Sequence, residues 1–319
     1  MKLIDIIDNY IVLQQSLGMR SETARRTLRQ FARRMGDIRI DEVQAQQVLD
    51  FLQGSGALSS TWRVKYRLLS GLYRYAISRG HVTDAPLPPR LPKLPPQQTP
   101  YVYSTDELRR LLEAASCLHA STSRQQAPMF RTLLLLLYGC GMRVGEALGL
   151  SLRDVDFVQR IITIRNTKFF KTRLVPFGPK LALELTAHAD RRRRLAMPEG
   201  EDSAFFSTRT GAAWPYQHVI TLFQRVRRVA GIVRPAGELC PPRLHDLRHT
   251  AAVHRVLSWY RSGRDVQRLL PQLATYLGHV DISSTQRYLQ MTPALLEQAS
   301  QRFARYANCG GGHDGGGHE

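Results

Sequence analysis

The sequence predicts a mainly α-helical protein in two parts, with one small β-sheet or hairpin. Three observations carry that expectation. Apolar residues recur at three- and four-residue spacing through most of the chain. Seven prolines fall within residues 86–100, which forbids a helix there and makes a semi-extended linker. Two neighbouring runs, 160–165 and 173–177, are β-rich and joined by a short connection.

In order, Leu3, Ile6, Ile7, Tyr10 and Ile11 form one apolar stripe. Leu28, Phe31 and Ala32 form a second after a Ser21 cap, and Val43, Val48, Phe51 and Leu52 a third. Ser60 or Thr61 is expected to cap a fourth helix carrying Val64, Leu68, Leu72 and Tyr75 and ending at Gly80. Past the linker, Ser104 or Thr105 caps a helix with Leu108, Leu111 and Leu112. Met129 to Tyr138 is an apolar helix closed by Gly139-Cys140-Gly141, and another helix starts near Arg143. The two β-rich runs read as a hairpin with Lys168 and Lys171 near its turn. From Pro179 onward the pattern is again helical, with a last amphipathic stretch at 294–307 and a flexible glycine-rich tail at 308–319. The expected organisation is a helical domain over 1–85, the linker 86–100, a mixed domain over 101–307 and the tail.

The 319 residues carry a formal net charge of +19, with arginine far outnumbering lysine. Arginine presents a planar fork that matches phosphate oxygens, so a nucleic-acid partner is expected. Arg25, Arg26 and Arg29 share one helix, and Arg63, Lys65 and Arg67 share another; both sets are candidates to track a phosphate backbone. The four cysteines, Cys117, Cys140, Cys240 and Cys309, form no CxxC pair and stand at no metal-ligand spacing, so neither a disulfide framework nor a structural metal is expected. The start is too charged for a signal peptide, and the longest apolar run is too short to span a membrane. A cytoplasmic, nucleoid-associated protein is the expectation.

Six scattered polar residues carry the chemistry: Arg143, Lys168, His245, Arg248, His279 and Tyr288. A phosphodiester resists attack because its oxygens repel a nucleophile and its leaving alkoxide is poor. Fixed donors must hold the negative oxygens, one group must protonate the leaving oxygen, and another must take the nucleophile's proton. Metal enzymes use clustered carboxylates for this, and no such cluster occurs in the sequence. Guanidinium, imidazole and ammonium groups with a phenol are the alternative.

At these residues the chain resembles the tyrosine recombinases, or phage-type integrases. The resemblance rests on Gly141-Met142-Arg143-Val144-Gly145-Glu146, on Lys168 three residues before Lys171, on Leu244-His245-Asp246-Leu247-Arg248-His249, and on Leu277-Gly278-His279 with Tyr288, all in the family's order. It implies a SAM-like core-binding helical bundle joined to a mixed α/β catalytic domain. It implies further that Arg143 and Arg248 clamp the non-bridging oxygens, that His279 adds a hydrogen bond, and that His245 helps accept the phenol proton. Lys168 would protonate the leaving 5′ oxygen and Tyr288 would attack as nucleophile. Glu146 would orient a cation, and His249 would pack behind Arg248. No cofactor or metal is implied. The implied partner is double-stranded DNA with an inverted-repeat core, bound by a homo-tetramer or together with a related recombinase. The chain starts at the core-binding domain without an arm-binding domain, which points to a simple site. Residues 294–307 are expected to dock on a neighbouring protomer.

The usual glycine-rich turn beside the lysine is replaced here by Phe169-Phe170. A mobile-element integrase is the leading role. Xer-like replicon dimer resolution, a catalytically inactive DNA-binding homologue and a type IB topoisomerase are the competing ones.

Overall fold

The computed structural model describes residues 1–19, 22–95, 99–118, 126–165, 172–234 and 241–278, with Glu297 and Ser300. These residues divide into two compact units, one within 1–98 and the other from 99 onward.

The first unit packs α1 (Leu3–Ser16), α2 (Glu22–Met35), α3 (Ala45–Gln53) and α4 (Ser60–Ser78) around one core. Ile6 and Ile7 of α1, Leu28 and Phe31 of α2, and Val48 and Phe51 of α3 are almost fully buried. The Phe31 and Phe51 rings meet at 5.0 Å between centroids, in the tilted arrangement that suits their quadrupoles. Two details differ from the sequence reading. Val43 is buried but precedes α3. The buried stripe of α4 is Trp62, Leu69, Leu72, Tyr73 and Ala76, whereas Val64 is exposed. Trp62, the largest apolar group of the first turn, is 5% exposed and stacks on Tyr66 one turn further on, with ring centroids 5.3 Å apart. The residue preceding α4 is Ser59, and its side chain makes no capping bond. Leu87 and Leu94, inside the proline-rich stretch, pack against this same core.

The second unit begins with α5 (Thr105–Ser116). Ser104 caps it: its hydroxyl accepts the Glu107 amide at 3.1 Å, and Glu107 accepts the Ser104 amide at 2.8 Å. We expect Ser104→Ala to lower stability by about 1 kcal/mol, read as a lower urea midpoint with an unchanged m-value. The central helix, α6 (Gln126–Cys140), packs against α5, α8 (Pro179–Arg192) and α10 (Asp246–Arg261). Because it is enclosed on most sides, Phe130, Leu133, Leu136 and Leu137 are all buried. After the short α7 (Val144–Leu148), three antiparallel strands follow in the order β1 (Val155–Asp156), β2 (Ile161–Ile164), β3 (Arg173–Pro176). The β2–β3 pair is the expected hairpin, and β1 is an added edge strand too short to show a period. The register sets Ile162 opposite Val175, both buried, and Ile164 opposite Arg173 at the end of the sheet. Helices α9 (Tyr216–Val229) and α11 (Val266–Leu277) complete the unit.

Candidate active site

Arg143 stands where α6 gives way to α7. The turn needs Gly141, whose φ is +60° and where an added Cβ would come within 2.6 Å of the Leu277 side chain. Arg143 then adopts an extended conformation immediately before α7. Its Nη1 donates to Glu146 Oε1 at 2.7 Å, its backbone amide to Glu146 Oε2 at 2.9 Å, and its Nη2 to the Gly278 carbonyl at 3.0 Å. The Arg143 side chain keeps 42% of its surface in solvent, so an anion can reach it.

His245 and Arg248 come from the start of α10. Asp246, fully buried, fixes that start by accepting the Arg243 amide at 2.8 Å and the Arg243 guanidinium at 2.9 Å. The Tyr103 hydroxyl donates to the Arg243 carbonyl at 3.0 Å. Arg248 lies one turn in and is 2% exposed. Its Nη1 donates to the Gly141 carbonyl and its Nη2 to the Leu277 carbonyl, each at 2.6 Å. The two arginines thus grip adjacent carbonyls at the end of α11, while Arg248 also ties down the α6–α7 turn. His249 packs edge-on against the His245 ring at 5.3 Å. His245 keeps an edge in solvent. The protein around its ring, then the Arg248 charge, with smaller contributions from Arg243 and Arg143, lower its pKa. The imidazole is therefore neutral near pH 7 and able to accept a proton.

Glu146 links this group to the sheet. Arg173, the first residue of β3, donates Nη1 to Oε1 at 2.9 Å and Nη2 to Oε2 at 2.8 Å. Burial alone would raise the Glu146 pKa, but the hydrogen bonds from Arg173 and from the Arg143 amide outweigh it and hold the pKa at about 2. A carboxylate whose folded pKa lies below its ordinary value contributes stability above that ordinary value, about 4.5, and loses it as pH falls toward 2. We expect a contribution on the order of 3 kcal/mol at neutral pH. The stability gap between the wild type and Glu146→Gln should shrink between pH 4.5 and pH 2 in urea titrations; a gap independent of pH would refute this.

Of the six expected site residues, the structure brings together Arg143, His245 and Arg248. Lys168, His279 and Tyr288 lie outside the described residues, as do residues 294–296, 298–299 and 301–307 of the last amphipathic stretch. In the sequence His279 directly follows Gly278, and Lys168 is five residues before Arg173. The rival phenol Tyr276 donates its hydroxyl to the Pro176 carbonyl at 3.1 Å, and burial pushes its pKa up, so it is a poor nucleophile. Tyr260 packs against the α10–α11 core.

In the first unit, Arg25, Arg26, Arg63 and Arg67 are exposed. Arg29 instead pairs with Asp8 at 2.9 Å. Lys65 donates to the Phe51 carbonyl at 2.6 Å and sits 4.6 Å from the Phe51 ring centroid, which makes it a cap for α3. Among the described residues no group of three or more metal-ligating side chains occurs, and no helix is long and apolar enough to cross a membrane. Sequence reasoning missed Arg173 and the Gly278 carbonyl. The position of Arg173 at the foot of the hairpin was the available signal.

The model of the phage integrase family matches residues 102–294. The chain belongs to that family. Its activity is tyrosine-type site-specific DNA recombination. A putative integrase/recombinase of Sinorhizobium fredii, y4rB, is 32% identical to this recombinase over 302 residues, covering 94% of this chain and 96% of that protein. Tyrosine recombinase XerD of Bifidobacterium longum is 30% identical over 265 residues, covering 80% of each chain. Two solved structures share the fold. The Tn1549 transposon integrase in complex with transposon right-end DNA has a TM-score of 0.67 at 18% identity, over 96% of this chain and 100% of that one. The lambda integrase tetramer bound to a Holliday junction has a TM-score of 0.62 at 17% identity, over 90% of this chain and 77% of that one.

Proposed function

We propose that this recombinase cuts and rejoins DNA through a 3′-phosphotyrosine at Tyr288. The phenolic oxygen of Tyr288 forms a bond to the scissile phosphorus as the bond to the 5′ oxygen breaks. The phenol proton passes toward His245, and Lys168 gives a proton to the departing 5′ oxygen. Arg143, Arg248 and His279 hold the non-bridging oxygens, whose charge rises in the transition state. The tyrosyl ester retains the energy of the broken bond, so a second 5′ hydroxyl reverses the step on another strand without ATP.

The observation that carries this reading is the convergence of Arg143 and Arg248 on the end of α11, one residue before His279, with a neutral His245 in the field of both. Two guanidinium groups and an imidazole match the demands of a phosphoryl transition state. A nicked suicide duplex drawn from sequences flanking the gene should yield an SDS-resistant protein–DNA adduct, equally well in EDTA. An adduct that required a divalent cation would contradict the scheme.

The substrate in this reading is duplex DNA with an inverted-repeat core, bound by four copies or with a related recombinase. The tetrameric lambda integrase complex supports the assembly, and the last amphipathic stretch is the segment assigned to protomer docking. Arg25, Arg26, Arg63 and Arg67 are the backbone contacts of a core-binding domain in the first unit. Mobile-element integration is favoured by the full-length match to the Sinorhizobium protein and by the fold shared with a transposon integrase. Replicon dimer resolution is the second reading, supported by the XerD relatives. The site of action is the nucleoid.

A further inference from the structure

Arg173 answers to none of the roles above, yet it touches the site from two sides. Its guanidinium forms two parallel hydrogen bonds to Glu146, and the same group lies flat beneath Gly278. A Cβ added at Gly278 would fall 2.8 Å from Arg173 Cζ and Nη1 and 2.9 Å from Nε. The Arg173 side chain is only 15% exposed, and its Nε has no hydrogen-bond partner among the described residues.

The carboxylate of Glu146 accommodates about four hydrogen bonds. Here it receives four, from the Arg143 amide, Arg143 Nη1, Arg173 Nη1 and Arg173 Nη2. A lone Glu146 would cancel the Arg143 charge where a phosphate is to be held. With Arg173 present, one negative charge is shared between two positive ones. The group keeps a net positive charge, and Arg143 is still oriented by an acceptor.

We propose that Arg173 is a positioning residue for strand cleavage: it saturates Glu146, so that Glu146 orients Arg143 without neutralising it, and it forms the bed on which the Gly278 backbone rests. Lysine cannot replace it, because an ammonium is a point donor and lacks the bidentate fork. Alanine cannot replace Gly278, because φ is +70° and the space is taken by the guanidinium. The inference rests on the assignment of Arg143 to the scissile phosphate.

The test is single-turnover cleavage of the nicked suicide duplex, with duplex affinity measured alongside. Arg173→Lys and Arg173→Ala should each slow cleavage by about a hundredfold, the scale of a small misplacement of a catalytic group, with duplex affinity nearly unchanged. Two further arms separate this role from simple support of the hairpin. Combining Arg173→Ala with Glu146→Gln should restore about tenfold of the lost rate, because the neutral amide no longer cancels Arg143, an electrostatic gain of the kind preorganised donors supply. A substrate with a sulfur leaving atom, which needs no proton, should not rescue Arg173→Ala. Sulfur rescue would overturn the proposal by placing the defect at Lys168, and a double variant no faster than Arg173→Ala would overturn the charge argument. Wild-type rates in both Arg173 variants would remove Arg173 from the site altogether. If the wild-type protein gives no adduct, the reading of Arg143 fails first, which is distinguishable from all of these.

Discussion

Changing Tyr288 to Phe is expected to lower formation of the covalent DNA adduct by at least about a thousandfold, with DNA binding retained. The change removes one oxygen. A phenol with an ordinary pKa near about 10 is mostly protonated at neutral pH, so attack needs help: nearby cations that favour the phenolate and an acceptor for its proton. In the proposed scheme Arg143 and Arg248 supply the charge, and His245, whose pKa is lowered, is the acceptor. Phe keeps the ring and loses the nucleophile. Tyr276 is a poor substitute, since its hydroxyl is engaged with Pro176 and burial raises its pKa. Filter binding and denaturing gels on one preparation separate binding from attachment.

Replacing Arg248 has two large effects at once. Its two 2.6 Å bonds satisfy the Gly141 and Leu277 carbonyls in a region with almost no solvent. Arg248→Ala leaves both carbonyls without this donor and opens a cavity, and is expected to cost about 3–5 kcal/mol of stability. In the proposed scheme it also removes a guanidinium from the transition state, which should slow cleavage by about a hundred- to a thousandfold. Arg248→Lys tells the two apart. The ammonium keeps the charge and much of the volume, so most of the stability should return; it cannot span both carbonyls and a phosphate, so cleavage should stay slow. Chemical denaturation and single-turnover cleavage of the three proteins check both halves. Full recovery of cleavage in the Lys variant would show that charge alone suffices at this position.

Much of this was legible in the sequence. The stripe of α1, the Ser104 cap and the β2–β3 pairing follow from period and turn chemistry, which are local. The α4 face was read in part: Leu72 is buried and Leu68 and Tyr75 pack against the core, but Val64, which also fits a helical period, is exposed, and Trp62, Leu69 and Tyr73 are buried instead. Lys65 looked like a phosphate contact and is instead bonded to the Phe51 carbonyl, fourteen residues away. Arg192, in a run of four arginines, is 1% exposed and donates to the Ala204 and Ala196 carbonyls, so a basic run is not always a solvated face. At the site, motif order pointed to Arg143, His245 and Arg248, which the structure brings together. The partner that connects them to the sheet, Arg173, escaped notice because its meaning depends on Glu146, which lies 27 residues away.

The central claim is that Tyr288 carries the DNA during strand exchange. The most direct measurement is mass mapping of the adduct: trap the wild-type protein on the nicked suicide duplex in EDTA, digest both protein and DNA, and locate the nucleotide-bearing peptide. The account predicts one modified residue, Tyr288, esterified to a 3′ phosphate. A modified Tyr276 or Tyr260, or a 5′ phosphate on the tyrosine, would contradict it.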